Sequence, residues 1–359
     1  MEVEFEESLS SDFARCISCG GCNIPCPLFN LDRIESSGMR SRIKILSMLS
    51  KGKIELTEGI LRHIFACANC GICNNYCPVG LRPFDLLVKA RDSLIDMGYV
   101  PLVTVDIRDS FRKVGTPIAD ELIKGSWLPP DFQPTRNSEI LFFAGCWMHK
   151  AIEVALNTMK ILGRISGSIT TIGPGEPCSG ALLYILGEKD LANDAKRNLE
   201  SVISELSPKR VVSGCPLTVR VYPDLGLMKI SSYVLDAIRS EKMRIGKVRG
   251  KDTILPIPSC GSDSSFLEVL RSFNNLKILE TPEWLCCDCG FTLIYRTDRG
   301  LFSKWVQRVL SLAEELGANH IVIEDVGCYA MIMEVMQTRG RLKGIKISHM
   351  SGFIMEFLK

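Results

Sequence analysis

The sequence predicts an α/β chain in three parts: a mostly helical N-terminal domain, then two duplicated modules built on parallel sheets. Three observations carry this. From residue 139 onward short apolar runs alternate with helical patterns, as parallel sheets with crossover helices require. That order of elements is repeated after residue 241, and the two copies close on related segments, Lys229-Ile230-Ser231-Ser232 and Lys346-Ile347-Ser348-His349. Before residue 99 the apolar spacing is helical, as at Met39, Ile43, Leu46 and Leu49. The divisions expected are 1–99 for the helical domain, 100–138 for a proline-rich connector, and 139–240 and 241–359 for modules 1 and 2.

In the N-terminal domain two runs dominate. Cys16, Cys19, Cys22, Cys26 with Pro27, and Cys67, Cys70, Cys73, Cys77 with Pro78, each read C-x2-C-x2-C-x3-C-P. This is the run that holds cubane [4Fe–4S] clusters in bacterial ferredoxins, so the domain is expected to be two-cluster and ferredoxin-like. Gly20, Gly21 and Gly71 let the backbone approach the sulfides, and Pro27 and Pro78 suit a helix start after the fourth cysteine. In two-cluster geometry the fourth cysteine crosses over. One cluster is therefore expected on Cys16, Cys19, Cys22 and Cys77, the other on Cys67, Cys70, Cys73 and Cys26. Zinc knuckles use paired C-x2-C motifs and match these runs poorly. Further helices are expected around 58–65 and from Pro83 to a stop at Gly98, and His63 is read as an ordinary half-buried histidine.

The connector contains Pro101, Pro117, Pro129, Pro130 and Pro134, with one short helical pattern over 105–113. In module 1 strands are expected at 139–146, 168–173, 210–216 and 228–231, with helices over 151–163, 181–186, 191–206 and on to 240. In module 2 strands are expected at 253–258, 276–280 and 320–325, with a helix over 302–316. A basic, glycine-containing linker (241–251) joins the modules. Cys146, Cys215, Cys260 and Cys328 fall at strand ends, and Cys178 and Cys286-Cys287-Asp288-Cys289 in turns. Ligands gather at the carboxyl ends of the strands in open α/β sheets, so these cysteines are expected to converge within each module.

A formal charge of +2 argues against a nucleic-acid partner. Sixteen cysteines without a basic, apolar leader at the N-terminus point to a reducing cytoplasm and to metal binding. No apolar run is long enough to span a bilayer, which leaves peripheral attachment to the inner face of the membrane through a partner. No G-x-G-x-x-G follows a strand, so a flavin is expected on a partner subunit.

With these residues in place, the chain resembles the heterodisulfide reductase type of iron–sulfur protein, a double-cubane domain followed by two cysteine-rich CCG modules. Its layout is similar to thiol:fumarate reductase and to the iron–sulfur subunits of heterodisulfide reductase, glycolate oxidase and anaerobic glycerol-3-phosphate dehydrogenase. The resemblance implies a pattern of a lone Cys, a Cys-Cys-Gly and a Cys-Pro-x-Cys, supplying five ligands to a non-cubane [4Fe–4S] cluster that splits a disulfide. Here module 1 keeps Cys146, Cys178 and Cys215 but has Ser179 and Thr218 at the remaining positions. Module 2 keeps Cys260, Cys286, Cys287 and Cys328, has Asp325 where the pattern has a cysteine, and adds Cys289. The resemblance makes Cys260, Cys286, Cys287 and Cys328 a candidate third cluster site, cubane or non-cubane, with Asp325 a hard candidate ligand and a poor match to soft iron–sulfur chemistry. In module 1, Cys146, Cys178 and Cys215 with His149 make a candidate zinc site, against the plainer reading of three buried thiols. His320, His349 and Tyr329 are read as packing residues.

The implied function is that of an iron–sulfur oxidoreductase subunit, relaying single electrons through two cubanes to a cysteine-rich site where a disulfide is reduced. The alternative is a relay subunit of an FAD-dependent glycolate, 2-hydroxyacid or glycerol-3-phosphate dehydrogenase passing electrons to quinone. Partners would be a flavoprotein or other redox subunit and a membrane cytochrome. A third class, a non-catalytic assembly protein, keeps the modules as docking surfaces.

Overall fold

The computed structural model describes residues 3–118, 125–129, 131–246, 252–260, 263–286, 289–339 and 344–358. The N-terminal part holds helices α1 (Glu7–Ala14), α2 (Pro27–Asp32), α3 (Met39–Leu49), α4 (Glu58–Phe65), α5 (Pro83–Asp96) and α6 (Leu102–Val114). Met39, Ile43, Leu46 and Leu49, the residues whose spacing predicts α3, are all buried. Thr57 caps α4 by accepting from the Ile60 N–H (3.3 Å). Two expectations change here. Pro78 starts no helix: it lies in a turn that the Gly80 N–H closes on the Cys77 carbonyl (3.1 Å), and the next helix waits for Pro83. The short pattern at 105–113 is the inner part of a longer helix that starts after Pro101 and stops at Gly115 in the left-handed region.

Module 1 contributes β1 (Ile140–Phe143), α7 (Ile152–Ile165), β2 (Ile169–Thr171), α8 (Ala181–Leu186), α9 (Lys189–Leu206), β3 (Arg210–Ser213), α10 (Pro216–Val221), β4 (Met228–Lys229) and α11 (Ile230–Arg239). Module 2 contributes β5 (Asp252–Ile257), α12 (Ser265–Arg271), β6 (Leu276–Ile278), α13 (Thr292–Thr297), α14 (Arg299–Glu315), β7 (His320–Ile323), α15 (Val326–Arg339), β8 (Lys346–His349) and α16 (Met350–Phe357). Strand β4 is shorter than its sequence pattern because Ile230 already begins the helix. Helices α1, α13, α15 and α16 were not legible in the periodicity. In α15, residues such as Cys328, Met331 and Ile332 are buried beside others that are only partly so, and no clear polar face marks it.

Both sheets are wholly parallel, and both have the same order, β2-β1-β3-β4 and β6-β5-β7-β8. This is the duplication expected from the repeat. The order reverses direction between β1 and β3, and between β5 and β7, so each sheet has a crevice beyond those strand ends. Each central strand is buried along its core, Ile140–Phe143 and Ile254–Ile257, as an apolar run covered on both faces must be. Part of the linker between the modules lies outside the described residues. Within the linker the Gly246 N–H donates to the Phe357 carbonyl (2.7 Å), which ties the linker to the end of the chain.

His320 and His349 are buried, as packing residues should be, and burial pushes each down to about 4. His320 Nε2 meets Ser348 Oγ (2.7 Å), while His349 donates from Nε2 to the Glu324 carbonyl (2.9 Å) and accepts at Nδ1 from the Ser351 N–H (3.1 Å), capping α16. The folded pKa lies below the unfolded value of 6.5, so the unfolded chain binds the extra protons. Stability is complete above the unfolded value and lost as pH falls towards 4. Each histidine should cost about 1 kcal/mol between pH 7.5 and 5.5. Urea midpoints at the two pH values should differ more in the parent chain than in His320→Gln, and equal differences would remove His320 from the account.

Candidate functional site

The two cysteine runs fold into similar loops. Gly20 (φ 83°) and Gly71 (φ 72°) take the left-handed conformation and lead into 3-10 turns at Gly21–Asn23 and Ile72–Tyr76. At Gly21 a Cβ would stand 2.6 Å from the Tyr76 carbonyl oxygen, so only glycine lets the first loop lie this close to the second. Cys16, Cys19, Cys22 and Cys77 line one pocket, closed on its inner side by Ile43, Leu81 and Leu86. Cys19 is exposed at its mouth. Burial first, then the neighbouring Cys16, pushes the Cys22 thiol up to about 12.

A second pocket is deeper. Cys67, Cys70 and Cys73 are buried, and Cys26 from the first run joins them. The Cys26 thiol is pushed up to about 11 by burial and then by Cys70, and Cys73 is driven up by burial and then by Cys70, Cys67 and Cys26. Cys16, Cys19, Cys22 and Cys77 thus share one pocket, and Cys26 lies close enough to Cys67, Cys70 and Cys73 to act on them. Soft sulfur donors in two sets of four, on loops whose glycines admit close approach, fit [4Fe–4S] groups.

The second pocket opens onto module 2. Cys70 is pushed well below the usual thiol range, chiefly by hydrogen bonds with Cys260 and Cys286, which lie more than 180 positions away in the chain. Cys260 follows β5 and Cys286 lies in the loop after β6, and their Sγ atoms stand 2.8 Å apart. Asn69 fastens the junction: its Nδ2 donates to the Gly290 carbonyl (3.2 Å), its Oδ1 accepts from Arg91 (2.9 Å), and its carbonyl accepts from Arg220 of module 1 (2.7 Å). The sequence carries no signal for Asn69 beyond its place between two cysteines. Cys287 lies outside the described residues, as does the side chain of Cys289. Cys328 is fully buried in the first turn of α15, and its N–H donates to Asp325 Oδ1 (2.7 Å). Asp325 therefore caps that helix, a role that asks for a hard oxygen where the pattern has sulfur.

Module 1 shows how its degenerate motif is accommodated. Ser179 Oγ and Thr218 Oγ1, at the two positions where the pattern has cysteines, lie 2.7 Å apart and are buried. Two thiolate positions have become one satisfied hydroxyl pair. A Cβ on Gly145 would stand 2.9 Å from Cys215 Cβ, so the ends of β1 and β3 meet as the crevice predicts. Glu176, buried, accepts from the Ala144 (3.0 Å) and Gly145 (2.6 Å) N–H groups. His149 is buried and its Nδ1 accepts from the Gly125 N–H (3.2 Å). Among the described residues no three His, Cys, Asp or Glu side chains close on one point as a single zinc ion needs. Tyr329 is half-buried, its ring 6.0 Å from that of His349.

Comparison with known proteins gives the family of each part. The profile of the 4Fe-4S dicluster domain matches residues 12–81, and that of the cysteine-rich domain matches twice, at 140–217 and 260–333. The fold and site thus define an iron–sulfur protein in which a 4Fe-4S dicluster domain precedes two cysteine-rich domains. The chain is similar to the glycolate oxidase iron-sulfur subunit of Escherichia coli, 32% identical over 28% of this chain and 24% of that protein. It is similar to the probable glycolate oxidase iron-sulfur subunit of Bacillus subtilis, 24% identical over 55% and 56% of the two chains. An iron-sulfur subunit of the CoB--CoM heterodisulfide reductase of Methanopyrus kandleri is 25% identical over 34% of this chain and 61% of that protein. The chain thus spans between about a quarter and three fifths of these relatives' lengths. No helix among the described residues is long and apolar enough to cross a membrane.

Proposed function

We propose that this chain is the electron-relay subunit of a larger oxidoreductase, heterodisulfide reductase-like, with a cysteine-rich site in module 2 where a disulfide is reduced. The observation that carries the reading is the junction where Asn69, beside Cys70, donates to the Gly290 carbonyl of module 2, next to the Cys260–Cys286 pair that holds the Cys70 thiol down. One cubane would be held by Cys16, Cys19, Cys22 and Cys77, a second by Cys67, Cys70, Cys73 and Cys26, and a third group by Cys260, Cys286, Cys287 and Cys328, the last of which is disulfide-bonded in this structure and would have to be reduced first. Bound clusters supply single-electron transfer at low potential. The chain's own residues set the route. Exposed Cys19 brings the first pocket to the surface, where a flavoprotein or other redox subunit docks. Asn69 and Arg91 keep the second pocket against module 2. Asp325, which caps α15, orients the Cys328 turn and does not serve as a ligand. Attachment to a membrane cytochrome would hold the chain at the inner face of the membrane.

A second reading keeps the relay without disulfide chemistry, as in an FAD-dependent glycolate, 2-hydroxyacid or glycerol-3-phosphate dehydrogenase that feeds quinone. The Ser179–Thr218 pair favours it, because module 1 lacks a full thiolate set. Iron, sulfide and zinc analysis of the anaerobically purified protein, with low-temperature EPR, separates the two. About twelve irons and a new signal in the thiol-treated oxidised state are expected for disulfide reduction, and about eight with ferredoxin-like reduced signals for relay alone. Far fewer irons would overturn both. Zinc in the same sample reads whether Cys146, Cys178, Cys215 and His149 hold a metal.

A further inference from the structure

Arg42 and Arg91 are among the largest fully buried side chains of the protein. Arg91 gives its N–H groups to the carbonyls of Ile64, Phe65 and Ile185 and to Asn69 Oδ1. Arg42 gives its own to the carbonyls of Ser37 and Gly38 (2.8 Å each), His63 (3.2 Å) and Ala66. Every one of these acceptors is neutral, and among the described residues neither guanidinium is paired with a carboxylate. The N–H groups are satisfied and the charges are not. A buried, uncompensated ion is among the most costly features a fold can carry, and here two of like sign lie within reach of each other.

The acidic groups that do face them are thiols of the second pocket. The two guanidiniums bracket the start of the second cysteine run: Arg42 donates to the Ala66 carbonyl beside Cys67, and Arg91 to the Phe65 carbonyl and Asn69 Oδ1 on either side of it, so Cys67 feels Arg91 and Cys26 feels Arg42. The first pocket is built differently. Its arginine, Arg40, is partly solvent-exposed and paired with Glu35 at 2.5 Å, which cancels its charge.

We propose that Arg42 and Arg91 are the buried counter-ions of an anionic group held by Cys26, Cys67, Cys70 and Cys73, and that they make this pocket, not the first, the place where an added electron rests. The proposal builds on the reading that both pockets hold [4Fe–4S] clusters. Uptake of one electron adds one negative charge, with no bond broken and no proton moved. Two fixed positive charges in a poorly solvated site stabilise the product more than the reactant, and the midpoint rises. The electron is then held beside Cys260 and Cys286, on the side where the site of module 2 lies.

The test is an EPR-monitored dithionite titration of the anaerobic holoprotein, with iron and sulfide counted first. Cys19→Ala assigns the signals, since it removes the first pocket's own. The second pocket should have the higher midpoint. Arg91→Gln should lower it at least about tenfold in the reduced-to-oxidised ratio at fixed potential, about 59 mV for one electron, leaving the first unchanged. Arg91→Lys, which keeps the charge and loses the hydrogen-bonding fork, should stay near the parent value, and Arg40→Gln should move neither. If Arg91→Gln does not fold, Arg42→Gln gives the same readout with the same expected direction. A midpoint that stays put in an iron-replete Gln variant, or moves as far in the Lys variant, overturns the proposal. A parent protein without the eight irons overturns the cluster reading beneath it instead.

Discussion

Cys26→Ala should cost the protein the cluster of the second run, although Cys26 belongs to the first. The loss should be about four irons, since each cubane holds four. The physical basis is the position of Cys26 at the start of α2, where it is half-buried beside Cys67, Cys70 and Cys73. Cys77 makes the reciprocal crossing and lines the pocket of Cys16, Cys19 and Cys22. Pairs of substitutions read the crossing directly. Cys22→Ala with Cys77→Ala strikes one pocket and should leave the other cluster in place, whereas Cys22→Ala with Cys26→Ala strikes both and should leave neither. Iron counts in the opposite order would mean that each run serves its own cluster. The backbone approach at Gly21 ties the loops together, so Gly21→Val should perturb both signals at once.

Glu324→Ala should destabilise the C-terminal half by roughly 3–5 kcal/mol, the usual cost of removing one partner of a buried ion pair. Glu324 is 5% exposed at the end of β7 and accepts from the Ser259 N–H (2.7 Å), Ser259 Oγ (2.8 Å), Ser231 Oγ (2.6 Å) and Lys229 Nζ (3.3 Å). Lys229 and Ser231 belong to module 1 and Ser259 to module 2, so this one carboxylate joins the two sheets. Truncation strands the buried Lys229 ammonium with only Asp263 (2.9 Å), itself half in solvent, and leaves the Ser259 amide without its acceptor. Glu324→Gln keeps the shape and part of the hydrogen bonding and should lose less. Urea unfolding of the three proteins at pH 7.5 is the measurement. An alanine variant within 0.5 kcal/mol of the parent, roughly the scatter of surface substitutions, would show that the junction rests on packing instead.

Much of the site was legible because it is local. Each cysteine run sets its own loop geometry within a dozen residues, and glycine and proline mark its turns. Helix α3 was readable from one buried stripe. Helix α15 was not, since it lies within module 2 with apolar residues around much of its circumference. The fate of the degenerate positions was also hidden. A serine at 179 and a threonine at 218 read as two lost ligands, and only their 2.7 Å contact shows them to be one repaired pair. Asp325 read as a candidate ligand and is the cap of the helix that carries Cys328. Arg42 and Arg91 look like ordinary surface charges in a helical pattern until burial and the neutrality of their acceptors are known.

By itself the sequence determined the cysteine spacing, the alternation of strand and helix, and the duplication, because each depends on short-range periodicity. The tertiary structure alone decided that Cys70 meets Cys260 and Cys286, that Glu324 bridges the modules, and that two arginines lie buried against thiols. Those contacts join segments far apart in the chain. They follow from the shared β2-β1-β3-β4 and β6-β5-β7-β8 orders, which bring the carboxyl ends of β1 and β3, and of β5 and β7, side by side. They follow too from α5, whose Arg91 binds the Ile185 carbonyl of α8 and sets the cysteine loops against module 1. No local pattern encodes which faces meet, since that is chosen by how the buried surfaces of all three parts fit together.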